Sequence, residues 1–128
     1  MEVLKKWHLA VETKDASILD EILADEVVFH SPVVWTPQVG KEITKMYLSA
    51  AMYVIGGEDF QYVKEIVSKN QACLEFTTKI GDTIINGVDI ITINKENKII
   101  EFKVMIRPLK GMMAVKDKMF ELMRKMSS

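Results

Sequence analysis

The apolar residues of this chain change their spacing after the pair Gly56-Gly57, and that change restricts the possible folds most. Before this pair they recur every three or four residues, which predicts helices. After it they alternate with polar residues, which predicts strands. Helices followed by a run of strands favour an α+β fold. The 128 residues suit one domain, so we expect a single domain over residues 1–128.

Three helices and one short strand are predicted in the first part of the chain. The first helix has an apolar stripe of Leu4, Trp7 and Val11. Asp15 can cap the second helix, whose buried face comprises Ile18, Leu19, Ile22 and Leu23. Residues 27–32, VVFHSP, read as a strand that proline stops, and residues 31–40 read as a loop. The third helix follows Gly40, and its apolar face comprises Ile43, Met46, Tyr47, Ala50, Ala51 and Val54.

The second part of the chain reads as an antiparallel meander followed by a fourth helix. Gly81-Asp82 suits a two-residue hairpin turn, and residues 94–97 suit the next turn. The strands around these turns carry apolar residues at alternate positions, namely Ala72, Leu74, Phe76 and Ile80, and later Ile100, Phe102, Val104 and Ile106. Between them, residues 84–93 are nearly all apolar. The last helix has apolar residues three and four positions apart: Met112, Val115, Met119, Leu122 and Met126.

Asp89 lies in the middle of the apolar segment NGVDIITI, residues 86–93. Counting from the two predicted turns places Asp89 between Leu74 on one side and Phe102 on the other. It therefore belongs to the apolar face of the sheet, which collects Leu74, Phe76, Ile85, Asp89, Ile91, Phe102, Val104 and Ile106. Desolvation should raise its pKa, so the protonated carboxyl can donate a hydrogen bond near neutral pH. The alternative is a carboxyl that binds a buried backbone group or water and has no further role.

Five stretches follow one another in an order that resembles the nuclear transport factor 2-like superfamily, especially its SnoaL-like and ketosteroid isomerase branches. They are Asp15, ADEVVFHSPVV, Gly40-Lys41-Glu42, GVDIITINKENKIIEF and VMIRP, and the resemblance extends through Arg107. It implies a cone-like fold in which three N-terminal helices close a pocket inside a curved antiparallel sheet, with a C-terminal helix added here. It also implies a homodimer formed through the outer face of the sheet. The apolar face that carries Asp89 would be the pocket wall.

The isomerase branch implies three functional positions, of which this chain keeps one. The general base of that branch precedes the proline of the first strand, where this chain has Ser31. The tyrosine donor of its first helix is matched by Trp7, and its protonated aspartate is matched by Asp89. Without the base, we do not expect the same proton shuttle.

Two histidines are further candidates for acid–base chemistry. His30 could replace the missing base, although neighbours on a strand point to opposite faces and Ser31 would then face the pocket. His8 lies beside Trp7 and could reach the pocket mouth. The two histidines are far apart and have no ligand motif, so we expect neither a metal site nor a cofactor. Cys73 reads as a small apolar residue of the outer sheet face rather than a nucleophile.

The charge and the N-terminal sequence restrict the partners and the compartment. A net charge of −1 with mixed signs favours neither nucleic acid nor an anionic membrane as a partner. A single cysteine excludes an intrachain disulfide. Residues 1–15 lack the apolar run of a signal peptide or a membrane span, so we expect a cytoplasmic protein.

Together these features predict a homodimeric pocket protein that binds a small apolar or aromatic molecule. The residues expected around the ligand are Trp7, Ser31, Trp35, Tyr47, Phe76, Asp89, Phe102 and Ile106. One alternative is a cofactor-free isomerase, cyclase or hydratase in which Asp89 polarises a carbonyl while His30, His8 or a water moves a proton. Another is an interaction module with a filled core, which Val88 and Ile90 on the outer sheet face favour.

Overall fold

The computed structural model describes residues 1–127, without the side chains of Met126 and Ser127. Its elements follow in the order α1 (Glu2–Thr13), α2 (Ser17–Ile22), β1 (Leu23–His30), β2 (Gln38–Val39), α3 (Lys41–Ile55), β3 (Gln61–Val67), β4 (Gln71–Ile80), β5 (Thr83–Ile93), β6 (Ile99–Arg107) and α4 (Leu109–Ser127). The strands form one sheet in the order β2-β1-β6-β5-β4-β3. This sheet curls without closing, and helices lie at both ends of the chain. The α+β cone predicted from the sequence is therefore confirmed.

The β4–β5 hairpin has the predicted register. Gly81 adopts a φ of 60° at the first turn position, where a side chain would be strained. Leu74 pairs with Asp89, and Phe76 pairs with Gly87. A Cβ atom at Gly87 would lie 2.4 Å from Cζ of Phe76. Glycine at this position therefore lets the Phe76 ring cross the neighbouring strand.

The β5–β6 hairpin differs from the predicted register by two residues. Asp89 pairs with Val104 rather than with Phe102, which pairs with Ile91. The cause is a turn one residue longer than counted, together with an irregularity between Thr92 and Ile93 that adds another residue. A shift of two residues keeps every side chain on its face. The predicted inner face of the sheet is therefore confirmed, and Asp89 lies on it.

Two strands and one pairing go beyond the sequence analysis. β3 pairs antiparallel with β4 at the edge of the sheet, and β2 pairs with β1 inside the segment predicted as a loop. β1 runs parallel to β6 within the otherwise antiparallel sheet, a pairing that was not predicted from the sequence. Most residues of β3 are exposed on both faces, so this strand lacks the alternation that marks β4 and β6.

All four predicted helices are present. α3 begins after Gly40 and ends where the Gly56 N–H bonds the Met52 carbonyl. The Asp15 carboxylate accepts the Ser17 N–H at 3.0 Å and the Ser17 hydroxyl at 2.6 Å just before α2, although the cap position itself is Ala16. Leu23, predicted on a helix, begins β1. The side chain of Met126, predicted on the apolar face of α4, lies outside the described residues.

The buried apolar residues form two clusters on the inner face of the sheet. One combines α1, α2 and two residues of α3 with parts of β1, β4, β5 and β6, and the other combines the rest of the buried α3 face and α4 with Phe76 and Ile85. Tyr47, Tyr62 and Val104 pack against both clusters. None of the helices in the described range has the length and apolar character needed to cross a membrane.

Candidate functional site

A cavity of about 80 Å³ lies where the two clusters meet, enclosed by the inner face of the sheet and by α1, α3 and α4. Seven aromatic side chains contribute to its wall: Trp7, Phe29, Tyr47, Phe60, Tyr62, Phe102 and Phe120. Asp89 is the one ionisable carboxyl among the described residues that line it. The cavity is thus an apolar, largely aromatic space with a single acidic group.

Six of the eight residues predicted around a ligand line this cavity. They are Trp7, Ser31, Tyr47, Asp89, Phe102 and Ile106. Phe76 lies behind the wall, fully buried, with its ring stacked on Phe60 at a centroid distance of 5.4 Å. Trp35 is 97% exposed in the loop after β1 and does not line the cavity. The proline-rich loop turns its ring toward solvent, which the sequence did not reveal.

Both histidines lie outside the cavity. His30 ends β1, and its Nε2 lies 3.1 Å from Oε2 of Glu101 on the outer face of the sheet. Its neighbour Ser31 lines the cavity, as the alternation along a strand predicts. Nε2 of His8 lies 2.7 Å from Oε1 of Glu65 near the surface. Neither imidazole is therefore placed to move a proton inside the cavity.

Cys73 and possible metal ligands were the other candidates for chemistry. Cys73 pairs with Ile90 and is partly exposed on the outer face, where it was predicted to lie. Across the described residues, no group of three or more His, Cys, Asp and Glu side chains is arranged to hold a metal ion.

Asp89 is only 5% exposed, and burial raises its pKa from 3.8 to about 7. A hydrogen bond from Tyr62 opposes this shift without cancelling it. The direction of this shift is the one predicted from the sequence. The carboxyl exchanges between its acid and its anion close to neutral pH, which suits a group that donates, accepts or transfers a proton.

Tyr62 is the main site residue that the sequence analysis missed. Its hydroxyl donates to Oδ2 of Asp89 at 2.6 Å and accepts from Nε1 of Trp7 at 3.0 Å. Burial, followed by the charge of Asp89, raises the pKa of the Tyr62 hydroxyl well above its ordinary value, so it remains a neutral donor. The only signal was two aromatic residues, Phe60 and Tyr62, in a segment without apolar alternation.

Helix α4 closes one side of the cavity. Val115, Met119, Phe120 and Met123 from this helix all line it. Val115 and Met119 are buried against the sheet, whereas Phe120 is half-exposed. The C-terminal helix therefore covers the cavity of its own chain.

Comparisons with known proteins agree with this architecture. The SnoaL-like domain model matches residues 4–102. A steroid delta-isomerase from Pseudomonas aeruginosa is similar in structure, with a TM-score of 0.92 and 29% identity over 99% of this chain and 93% of that chain. A Silicibacter pomeroyi protein described as uncharacterized, with a cystatin-like fold, has a TM-score of 0.86 and 28% identity over 93% of this chain and 83% of that chain.

More distant structures support the fold alone. A putative polyketide cyclase from Sinorhizobium meliloti has a TM-score of 0.65 and 13% identity over 82% of this chain and 94% of that chain. No curated protein matches the chain significantly in sequence. The family model covers most of the chain, and the curled sheet with its helices is that of the nuclear transport factor 2-like superfamily. The chain belongs to the SnoaL-like domain family within that superfamily.

Proposed function

We propose that this protein binds a small apolar or aromatic molecule in the cavity, with Asp89 as the main polar contact. The observation that carries the proposal is a single buried carboxyl on a largely apolar wall. The Tyr62 hydroxyl donates a hydrogen bond to Oδ2 of Asp89, and the described residues provide no hydrogen-bond partner for Oδ1. Ligand sites typically combine an apolar wall with a few polar groups that orient the ligand.

The size of the cavity restricts the ligand. Its volume of about 80 Å³ is well below the roughly 300 Å³ at which pockets for drug-sized ligands begin. A single ring with one polar substituent therefore fits the proposal better than a polycyclic molecule. A larger ligand would have to extend beyond this space or displace α4, which forms one wall.

The test compares two probes of similar shape, p-cresol and toluene, by NMR titration. We expect p-cresol to bind roughly tenfold more tightly, because its hydroxyl can hydrogen-bond Asp89. Asp89→Ala should abolish this preference and Asp89→Asn should reduce it, while toluene should still bind to both variants. The proposed role of Asp89 is wrong if both variants keep the preference for p-cresol.

A second candidate function is cofactor-free proton transfer of the isomerase type. The observation in its favour is the Asp89 carboxyl, whose pKa of about 7 suits a general acid or base at neutral pH. The similarity to a protein described as a steroid delta-isomerase supports the reaction class. Ser31 stands where the isomerases have their base, so Asp89 itself would have to remove and return the proton.

Exchange of the α-protons of cyclohexanone in D₂O tests this second function without knowledge of the natural substrate. Asp89 would take an α-proton from carbon to give the enol or enolate, and a deuteron would then return to the same carbon. Asp89→Asn should abolish the enzyme-dependent exchange. Replacing both His8 and His30 by alanine should leave the rate unchanged, because both rings lie outside the cavity.

We also propose that the protein forms a homodimer through the outer face of the sheet. Apolar side chains stand exposed on this face, among them Ile66, Ile84 and Met105. Analytical ultracentrifugation at micromolar concentration should show a dimer that Met105→Lys shifts toward monomer. Leu109→Lys, which changes an apolar and more exposed residue at the start of α4, is the control and should remain dimeric. A monomeric wild-type protein would refute this proposal.

A further inference from the structure

We infer that Trp7 and Tyr62 are positioning residues that direct the proton of Asp89 toward the cavity. The usefulness of this arrangement rests on the proposed function, in which Asp89 contacts a ligand. The arrangement itself rests on the hydrogen bonds that join α1, β3 and β5. The three side chains form one chain of contacts, from Trp7 through Tyr62 to Asp89.

The direction of this chain follows from the chemistry of its first member. An indole N–H can only donate a hydrogen bond. Nε1 of Trp7 therefore donates to the Tyr62 oxygen at 3.0 Å, and the Tyr62 hydrogen must find an acceptor elsewhere. Oδ2 of Asp89, 2.6 Å away, is the acceptor that the described residues provide. The Tyr62 hydroxyl is held in one orientation by a donor on one side and an acceptor on the other.

The consequence is a difference between the two oxygens of Asp89. Oδ2 is occupied as an acceptor in both protonation states, so the acid must carry its proton on Oδ1. In the anion the Tyr62 hydroxyl must donate to Oδ2, because a carboxylate can only accept. A proton added to Oδ1 leaves both hydrogen bonds in place, whereas a proton added to Oδ2 would require the Tyr62 hydroxyl to turn away from its acceptor. Oδ1 is therefore the oxygen that offers the proton to a ligand.

Other ionisable groups do not disturb this arrangement from the cavity side. β4 and β6 present Leu74 and Val104 on either side of Asp89, and both are apolar. α3 contributes Tyr47 to the wall, α4 contributes apolar residues, and no lysine or arginine lines the cavity within the described residues. Outside the cavity, Glu65 of β3 and the His8 ring of α1, whose centroid lies 5.2 Å from that of Tyr62, are next to Tyr62 rather than next to Asp89.

The site should therefore change its ligand preference with pH. Below about pH 7, Oδ1 carries a proton and selects a hydrogen-bond acceptor such as a carbonyl. Above that pH it is an anionic acceptor and selects a donor, including an ammonium group surrounded by aromatic rings.

The test is a carbon-13 NMR titration of the Asp89 carboxyl in the ligand-free protein. Tyr62→Phe should raise the Asp89 pKa from about 7 to about 8, because the anion loses a hydrogen bond that favours it. Tyr47→Phe, which removes another hydroxyl from the same wall, should leave this pKa unchanged. Trp7→Phe should give a smaller increase, since the Tyr62 hydroxyl becomes free to rotate. An unchanged or lower Asp89 pKa in Tyr62→Phe would overturn the inference.

Neutron diffraction at pD 5 gives an answer that depends on no variant. We expect a deuteron on Oδ1 of Asp89 and the Tyr62 O–D bond directed at Oδ2. A deuteron on Oδ2 directed at Tyr62 would refute the inference even if p-cresol binds as proposed. Conversely, failure to bind both p-cresol and toluene would refute the proposed function. The inference would still hold in that case if the deuterons lie at the expected positions.

Discussion

Asp89 and Glu101 lie on the neighbouring strands β5 and β6 but on opposite faces of the sheet. On the inner face, Asp89 is buried and has the uncharged Tyr62 hydroxyl as its partner. On the outer face, Glu101 is half-exposed and lies 3.1 Å from the His30 ring. Burial makes the charged form of Asp89 costly, whereas the Glu101 side chain remains in contact with water. The position of a carboxyl in the pleat of a strand thus decides its chemistry more than its residue type does.

The largest expected difference between the two faces is in the pH dependence of stability. The fold raises the pKa of Asp89 from 3.8 to about 7, so folding opposes ionisation of this group. Its contribution to stability is complete below pH 3.8 and is lost as the pH rises to about 7. The free energy of unfolding should fall by roughly 4 kcal/mol over this range.

Urea unfolding of Asp89→Asn between pH 4 and pH 8 measures this contribution. The variant cannot ionise at this position, so the decrease should disappear from its stability profile. Glu101→Gln is the matched control on the outer face and should keep the decrease. The contrast between the two faces fails if Asp89→Asn shows the same profile as the wild-type protein.

A smaller effect should distinguish the two sides of α4. Met119 is 9% exposed and lines the cavity, whereas Met113 is 46% exposed on the same helix. Met119→Ala should lower the free energy of unfolding by about 2 kcal/mol, because it removes buried apolar contacts and enlarges the cavity. Met113→Ala should change it by no more than about 0.5 kcal/mol. Equal losses in thermal or urea unfolding would show that α4 does not pack against the cavity in solution.

The smallest effect is expected from the outer pair of His30 and Glu101. Both side chains are partly exposed, so a double-mutant cycle with alanine should give a coupling of about 0–1 kcal/mol. Neither substitution should change the Asp89 pKa, since the pair lies on the other side of the sheet. A coupling above about 2 kcal/mol, or an altered Asp89 pKa, would show that the two faces communicate.

Much of the fold and part of the site could be predicted because they depend on local geometry. Alternation of side chains along a strand placed Asp89 on the inner face and separated His30 from Ser31. The predicted face was correct despite an error of two residues in the β5–β6 register, because a shift of two residues leaves each side chain on the same face of the sheet. Helical spacing likewise identified the stripe of α1 that carries Trp7.

Other features could not be predicted because they depend on contacts between distant segments. Tyr62 lies in an edge strand with little burial, so its sequence has no periodic signal. It reaches Asp89 only because β3 pairs with β4, which in turn pairs with β5. Trp35 was expected at the cavity, but the path of the loop after β1 leaves it in solvent.

The sequence by itself determined the α+β class, the inner face of the sheet and the place of one carboxyl on that face. These follow from covalent geometry, since successive side chains on a strand must point in opposite directions. The tertiary structure decided that the carboxyl meets a tyrosine held by an indole, and that α4 encloses the space in front of it. Those contacts join residues that are far apart in the chain, so only long-range strand pairing and helix packing bring them together.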